Sequence, residues 1–297
     1  MNEKKCSALR FALPKGRMQE GVFRLLDEAG ISVSASARRY RPVVSIPNIE
    51  TKILKPQNIV DMLQLGSRDL GFAGQDWCRE LGSKANDPNN ELVEVLNTGL
   101  NPVRLVAAAP ENLLVGGQLP DRRLRVASEY ESLTRQWIAG RSIDAQFVRS
   151  NGATEVFPPE DADLIIDNTS TGATLRDNGL VIVDELMQSS TCLYASREAW
   201  QDECKRPQIE DLKLLLQAVL EGRRRNMIEV NVSAQNLDQV INVLPAMQKP
   251  TVSPLFEEAG YAVRAAILRT ELPAVIPQIK ASGGRDIVVS ELNQIIP

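Results

Sequence analysis

Asp163-Leu164-Ile165-Ile166-Asp167-Asn168-Thr169-Ser170-Thr171-Gly172-Ala173-Thr174-Leu175-Arg176-Asp177-Asn178-Gly179 joins an apolar triplet to a carboxylate and then to a run of hydroxyls around one glycine. The triplet Leu164 to Ile166 predicts a buried strand, and the hydroxyl run predicts the opening of a helix. Hydroxyls and backbone N–H groups at a helix N-terminus suit a phosphate, because first-turn donors lack intrahelical partners and the helix dipole favours negative charge. Asp167 cannot serve that phosphate, since two anions repel; it suits sugar hydroxyls or a metal ion. A carboxylate for a ribose beside a cradle for its phosphate points to a phosphoribosyl group. The same residue types also cap helices and turns with no ligand, and that reading stays open here.

A chain of 297 residues is long enough for two or three domains, and its 43% hydrophobic and 24% charged residues are those of a globular protein. The net charge of −4 argues against nucleic acid as a partner, because clustered positive charge supplies most of that affinity. Neither a membrane span nor a signal peptide is expected: no apolar run is long enough, and Pro14, Lys15 and Arg17 break the one nearest the start. The four cysteines, Cys6, Cys78, Cys192 and Cys204, have no metal-ligand spacing, so reduced thiols in a cytoplasmic protein are expected. There is no histidine. That excludes Ser-His-Asp and Cys-His catalysis and every histidine-ligated metal, leaving carboxylates, cations, backbone donors and an oxygen-ligated metal.

Outward from the opening stretch, strands and helices alternate in the pattern of a parallel α/β architecture. Residues 9–13 predict a strand that stops at Pro14-Lys15-Gly16-Arg17, with a helix following to Gly30. Two cations beside a glycine at a strand's C-terminal end occupy the place where open α/β sheets bind ligands, although a solvated turn has the same composition. Arg38, Arg39 and Arg41 cluster next, fit for bidentate phosphate contacts or for an exposed face. Asp69-Leu70-Gly71-Phe72-Ala73-Gly74-Gln75-Asp76 predicts a buried strand that turns at Gly74 into a helix capped near Asp76. Its two glycines allow either close approach to a ligand or a tight turn. Residues 103–109, 124–127, 145–148, 181–186 and 191–195 predict five more strands. The expected division places residues 1–107 and 185–207 in one catalytic lobe and 108–184 in a second. From 208 to 297 the order β-α-β-β-α-β is that of a ferredoxin-like α+β domain with no catalytic constellation.

The motifs Leu13-Pro14-Lys15-Gly16-Arg17, Asp69 to Gly74, Arg104-Leu105-Val106-Ala107-Ala108-Ala109-Pro110, Asn151-Gly152-Ala153-Thr154-Glu155 and Asp167 to Leu175 together resemble the long form of ATP phosphoribosyltransferase. The likeness continues through Lys249-Pro250-Thr251-Val252-Ser253-Pro254-Leu255 and Ile276-Pro277-Gln278-Ile279-Lys280-Ala281-Ser282-Gly283. The resemblance implies a two-lobed, periplasmic-binding-protein-like catalytic region and a C-terminal regulatory domain. It implies transfer of the phosphoribosyl group of 5-phosphoribosyl 1-pyrophosphate to N1 of ATP, with Mg²⁺ present and pyrophosphate released, as the first step of histidine biosynthesis.

By the same resemblance, Asp167 holds ribose hydroxyls, and Ser170, Thr171, Gly172, Ala173 and Thr174 cradle the 5-phosphate. Lys15, Gly16, Arg17, Arg39, Lys55, Asp69, Gly74 and Glu155 lie on the ATP and pyrophosphate side, and Asp167, Lys15 and Arg17 act in catalysis. Histidine as feedback inhibitor is expected to contact Thr251 and Gly284, and the oligomer to be a hexamer, with a dimer as the alternative state. Four positions depart from the family pattern: the loop after Glu155 is one residue shorter, Lys55 replaces an arginine, Asn58 an aspartate and Glu131 a proline. Lys55 keeps the charge but loses the bidentate fork. Two lobes with a cleft also resemble solute-binding proteins of the periplasmic type; the missing export signal and the phosphate cradle argue against that alternative.

Overall fold

The computed structural model describes residues 7–34, 40–82 and 92–296. The chain divides into two compact units: one runs to Lys213 except for Glu28–Gly30, and the other takes those three residues and the chain from Leu214 onward. The boundary expected at residue 208 falls inside a helix that both units share.

In the first unit the elements in chain order are β1 (Leu9–Pro14), α1 (Arg17–Glu28), β2 (Val33–Ser34), β3 (Val43–Val44), β4 (Ile49–Leu54), α2 (Pro56–Gln64), β5 (Leu70–Gly74), α3 (Gln75–Glu80) and β6 (Leu92–Pro110). There follow β7 (Leu124–Ser128), α4 (Glu131–Arg141), β8 (Ala145–Arg149), β9 (Leu164–Thr169), α5 (Ala173–Asp177), β10 (Leu180–Ser196), α6 (Arg197–Gln201) and α7 (Lys205–Arg224). Eight strands form one sheet in the order β4-β1-β5-β10-β6-β9-β7-β8. Strands β4, β1 and β5 run parallel at one side, β9, β7 and β8 at the other. The long pair β6 and β10 runs antiparallel between them and carries the chain across twice.

That pair corrects the expected strand ends. Residues 181–186 and 191–195 belong to a single strand of 17 residues, and 103–109 is only the second half of a strand of 19. Bulges explain the difference: the register of β10 on β6 shifts five times, and the ladder resumes after each extra residue. Asn97, Gly99, Asn101 and Pro102 read as a turn in isolation, yet pairing continues around them. The lobe boundary expected at 107/108 likewise falls within β6, where Arg104 to Ala108 already pair with β9 of the second half.

The triplet Leu164 to Ile166 is fully buried. Leu164 and Ile166 pack on one side with Leu105, Leu124, Val126 and Tyr130; Ile165 packs on the other with Val106, Ala127 and Leu175. A strand covered on both faces needs an unbroken apolar run, which is what these residues supply. Each such side chain contributes about 1.5–3 kcal/mol relative to exposure. The same alternation sends Asp167 toward the α5 face and Asn168 toward the Tyr130 face.

The second unit holds a separate antiparallel sheet, ordered β12 (Thr251–Pro254), β13 (Tyr261–Leu268), β11 (Arg225–Val232), β14 (Arg285–Glu291). Helices α8 (Leu237–Val243) and α9 (Leu272–Ala281) supply the split-βαβ crossovers and pack Val240, Val275 and Ile279 onto Ile228, Val230 and Val263. This is the ferredoxin-like arrangement. Cys78 and Cys192 are free and buried, as expected for reduced thiols, whereas Cys204 is disulfide-bonded, contrary to that expectation. Among the described residues no helix is long and apolar enough to cross a membrane.

Candidate active site

The parallel register aligns the C-terminal ends of three strands. Pro14 pairs with Leu54, the Lys15 N–H donates to the Leu54 carbonyl at 2.8 Å, and Ala12 pairs with Gly71, so β5 ends level with β1. Lys15 and Lys55 are therefore brought side by side, both exposed. Lys15 Nζ lies 3.3 Å from the Tyr40 hydroxyl and 5.1 Å from its ring centroid. Gly16 turns the chain into α1 with φ +83°, a conformation that other L residues resist. Arg17 then reaches across to β9, where its Nη2 donates to Asn168 Oδ1 at 3.2 Å.

At the end of β9, Asp167 is half-buried and accepts the Asn168 N–H at 2.6 Å. Burial raises its pKa to about 6, Glu155 and Glu129 push the same way, and the Asn168 N–H and Arg17 oppose the rise without cancelling it. Beyond it the hydroxyl run folds into a compact loop: Thr169 Oγ1 accepts the Gly172 N–H at 2.9 Å and Thr171 Oγ1 accepts the Ala173 N–H at 3.3 Å. Gly172, at φ +74°, is the N-cap residue of α5 and has no side chain to cap it. Ser170, Thr171, Ala173 and Thr174 are exposed, so the loop presents hydroxyls and backbone to solvent. Glu155 sits in a single 3₁₀ turn, Thr154–Val156, entered through Ala153 at φ +48°.

The structure thus gathers Asp167, Arg17 and the Ser170 to Thr174 loop, places Glu155 within electrostatic reach of Asp167, and sets Lys15, Gly16 and Lys55 at neighbouring strand ends. It does not bring Asp69 there. Asp69 precedes β5, at the opposite end of that strand from Gly74, and is 2% exposed. Arg10 grips it through Nε at 3.0 Å and Nη2 at 2.6 Å, its backbone N–H adds a bond at 2.7 Å, and Lys205 Nζ lies at 3.0 Å. Burial alone would raise the Asp69 pKa; these partners hold it below the usual carboxylate range. A carboxylate so enclosed has no face left for a substrate.

The glycines of β5 are likewise accounted for by the protein's own atoms. A Cβ on Gly71 would meet Ile59 Cγ2 at 2.6 Å, and one on Gly74 would meet Asp76 Oδ1 at 2.1 Å. Asp76 is not the expected cap of α3, whose N-cap residue Gly74 makes no side-chain bond. It is a buried carboxylate facing Tyr130 and Ser189. Sequence reasoning gave Asp76 only a capping role and assigned none to Tyr130, Asn168 or Ser189. The available signal was the carboxylate pair Asp76 and Glu80, one turn apart in a short helix. Arg39 lies outside the described residues. Thr251 and Gly284 belong to the second unit: Thr251 is exposed on β12, and a Cβ on Gly284 would meet Ile279 Cγ2 at 2.5 Å.

The chain is similar to proteins of one family along nearly its whole length. Residues 55–218 match the sequence model of "HisG: ATP phosphoribosyltransferase", and residues 222–294 match "HisG, C-terminal domain". An ATP phosphoribosyltransferase of Desulforudis audaxviator is 35% identical, covering 97% of this chain and 99% of its own. One of Pelotomaculum thermopropionicum is 33% identical over the same shares of both chains. A solved ATP phosphoribosyl transferase (HisG:HisZ) complex from Thermotoga maritima superposes with TM-score 0.61 at 25% identity, over 72% of this chain and 98% of that one. An α/β region built on one eight-stranded sheet, followed by a separate C-terminal sheet, fits those matches, and the chain belongs to the ATP phosphoribosyltransferase family in its long form.

Proposed function

We propose that the strand ends carrying Asp167, the Ser170 to Thr174 loop, Lys15, Arg17 and Lys55 bind 5-phosphoribosyl 1-pyrophosphate and ATP, and transfer the phosphoribosyl group to N1 of adenine. The observation that carries this reading is the place of Asp167, a half-buried carboxylate with one backbone donor, its pKa raised by burial, standing directly before a solvent-facing hydroxyl loop. Ribose hydroxyls donate to Asp167 and supply the stabilisation that it lacks in the free protein. The 5-phosphate takes the loop, where Thr171 and Thr174 offer hydroxyls, and where the Gly172 and Ala173 N–H groups turn to it from the Thr169 and Thr171 hydroxyls they bond in the free protein.

The C1–O bond to pyrophosphate breaks with its electron pair leaving on the pyrophosphate, and the N1–C1 bond forms. Lys15, Arg17 and Lys55 neutralise the departing charge. No step requires a histidine base, in keeping with a chain that has none. A metal ion fits the same place. Among the described residues no cluster of three or more carboxylate, thiol or imidazole groups could hold one alone, but Mg²⁺ commonly takes one or two carboxylates plus substrate phosphates. Asp167, with Glu155 near, offers that partial set. When bound, Mg²⁺ would supply charge neutralisation of the pyrophosphate.

The second unit is proposed to bind histidine near Thr251 and Gly284 as feedback inhibitor, and the enzyme to assemble as a hexamer. Mixing the protein with ATP, phosphoribosyl pyrophosphate and Mg²⁺ is expected to release pyrophosphate and form an adduct absorbing at longer wavelength than ATP, with added histidine slowing both. Absence of adduct and of pyrophosphate at high enzyme concentration would sink the transfer reading. Turnover indifferent to histidine would sink the regulatory one alone.

A further inference from the structure

A row of hydrogen bonds leads from a buried carboxylate to Arg17. Asp76, 5% exposed, accepts two hydroxyl protons: Ser189 Oγ donates to Oδ1 at 2.8 Å and Tyr130 donates to Oδ2 at 2.7 Å. A carboxylate only accepts, so the single phenolic proton points at Asp76 and the Tyr130 oxygen is left as an acceptor. It accepts from Asn168 Nδ2 at 2.9 Å. That turns the amide one way round, with its NH₂ on Tyr130 and its Oδ1 toward the site, where Arg17 Nη2 donates to it at 3.2 Å. The polarity of the whole row is set at its buried end.

The hydroxyl is not what holds Tyr130 in place. Its ring is fully buried and stacks on Trp77 with centroids 4.5 Å apart, and its N–H donates to Ser128 Oγ at 2.9 Å. Glu80, one turn after Asp76 on α3, accepts the N–H groups of Ser132 and Leu133 at 2.9 and 3.0 Å, fixing the start of α4. With the tyrosine anchored by these contacts, its oxygen is free to direct its neighbour.

We infer that Tyr130, backed by Asp76, is a positioning residue for the phosphoribosyl transfer, orienting the Asn168 amide so that Arg17 is held beside Asp167. This rests on the proposed transfer and adds to it a residue that never touches substrate. Tyr130→Phe keeps the ring and the Trp77 stack and deletes only the oxygen. The melting temperature is expected to change little, while kcat/KM falls by about tenfold.

A double-mutant cycle with Arg17→Ala separates positioning from a general packing defect. If Tyr130 acts through Asn168 on Arg17, Tyr130→Phe costs no more than about twofold once Arg17 is gone. Losses that multiply independently would overturn the inference, as would a Tyr130→Phe enzyme matching wild type. The cycle is read both on turnover and on the Kd for inorganic pyrophosphate by calorimetry, so that an Arg17→Ala enzyme without turnover still reports. Should Tyr130→Phe fail to fold, Asn168→Ala takes its place with the same expectation. Wild-type protein that binds pyrophosphate yet makes no adduct defeats the transfer reading, and the cycle on Kd still decides whether Tyr130 orients Arg17. Wild-type protein that binds no pyrophosphate, or Arg17→Ala equal to wild type in both readouts, overturns the inference.

Discussion

Asp69 and Asp167 stand at opposite kinds of strand end and in opposite electrostatic states. Asp69, before the first residue of β5, is enclosed by Arg10 and Lys205, and its pKa lies below the ordinary carboxylate range. Asp167, near the last residue of β9, has one backbone donor and two neighbouring glutamates, and burial pushes its pKa up to about 6. Both are buried or half-buried carboxylates in motifs shared with one enzyme family. The difference teaches that burial alone does not mark a functional acid. What marks Asp167 as the candidate is burial only partly compensated, next to an open surface where a ligand can complete the solvation.

The largest effect should come from breaking the compensated site. Asp69→Ala leaves Arg10 and Lys205 without their shared anion, and removing one partner of a buried pair typically costs about 3–5 kcal/mol. A denaturation midpoint should show that loss, while turnover per folded molecule stays near wild type. Normal stability with lost turnover would reverse the comparison and return Asp69 to the substrate.

Asp167→Asn should do the opposite, lowering kcat/KM by about a hundredfold or roughly 3 kcal/mol without loss of stability. The pH dependence has a definite sign. Because the folded pKa of Asp167 is raised above the unfolded value, ionisation favours the unfolded chain, and wild-type stability falls as pH rises from about 4 through about 6. Asp167→Asn lacks that titration. It should melt with wild type near pH 4 and above it at pH 8, by roughly 1–3 kcal/mol after allowance for partial exposure. Equal destabilisation at both pH values would favour a helix-capping role for the stretch.

A smaller effect tests the second buried carboxylate of the β5 region. Gly74→Ala drives a methyl into Asp76 Oδ1, and overpacking of this kind costs about 1–3 kcal/mol. Because the displaced group also orients Tyr130, turnover should drop with stability. Loss of stability with full turnover per folded molecule would separate Asp76 from the site.

Much of this was legible in the residues. The Leu164 to Ile166 triplet, flanked by a carboxylate and a hydroxyl run, specified a buried strand feeding a helix, and the structure has both. The β-α-β-β-α-β order after α7 specified the second sheet. The two long strands were not legible, because Asn97, Gly99 and Pro102 carry turn signals that only the β10 partner overrides. Asp69 was misplaced for a related reason: its motif was read without Arg10 or Lys205, which stand 59 and 136 positions away.

By itself, then, the sequence determined the alternation of strands and helices, the hydroxyl loop at a strand end, and the exclusion of histidine-based chemistry, since periodicity and residue type act locally; the antiparallel pair at the centre of the sheet was outside its parallel pattern. The tertiary structure alone decided which carboxylate is enclosed by cations, as Asp69 is, and which is buried with a raised pKa, as Asp167 is. It also decided which way round the Asn168 amide faces. Charge compensation is a property of neighbours in space, and here those neighbours come from strands and helices that meet only when the sheet closes around β6 and β10.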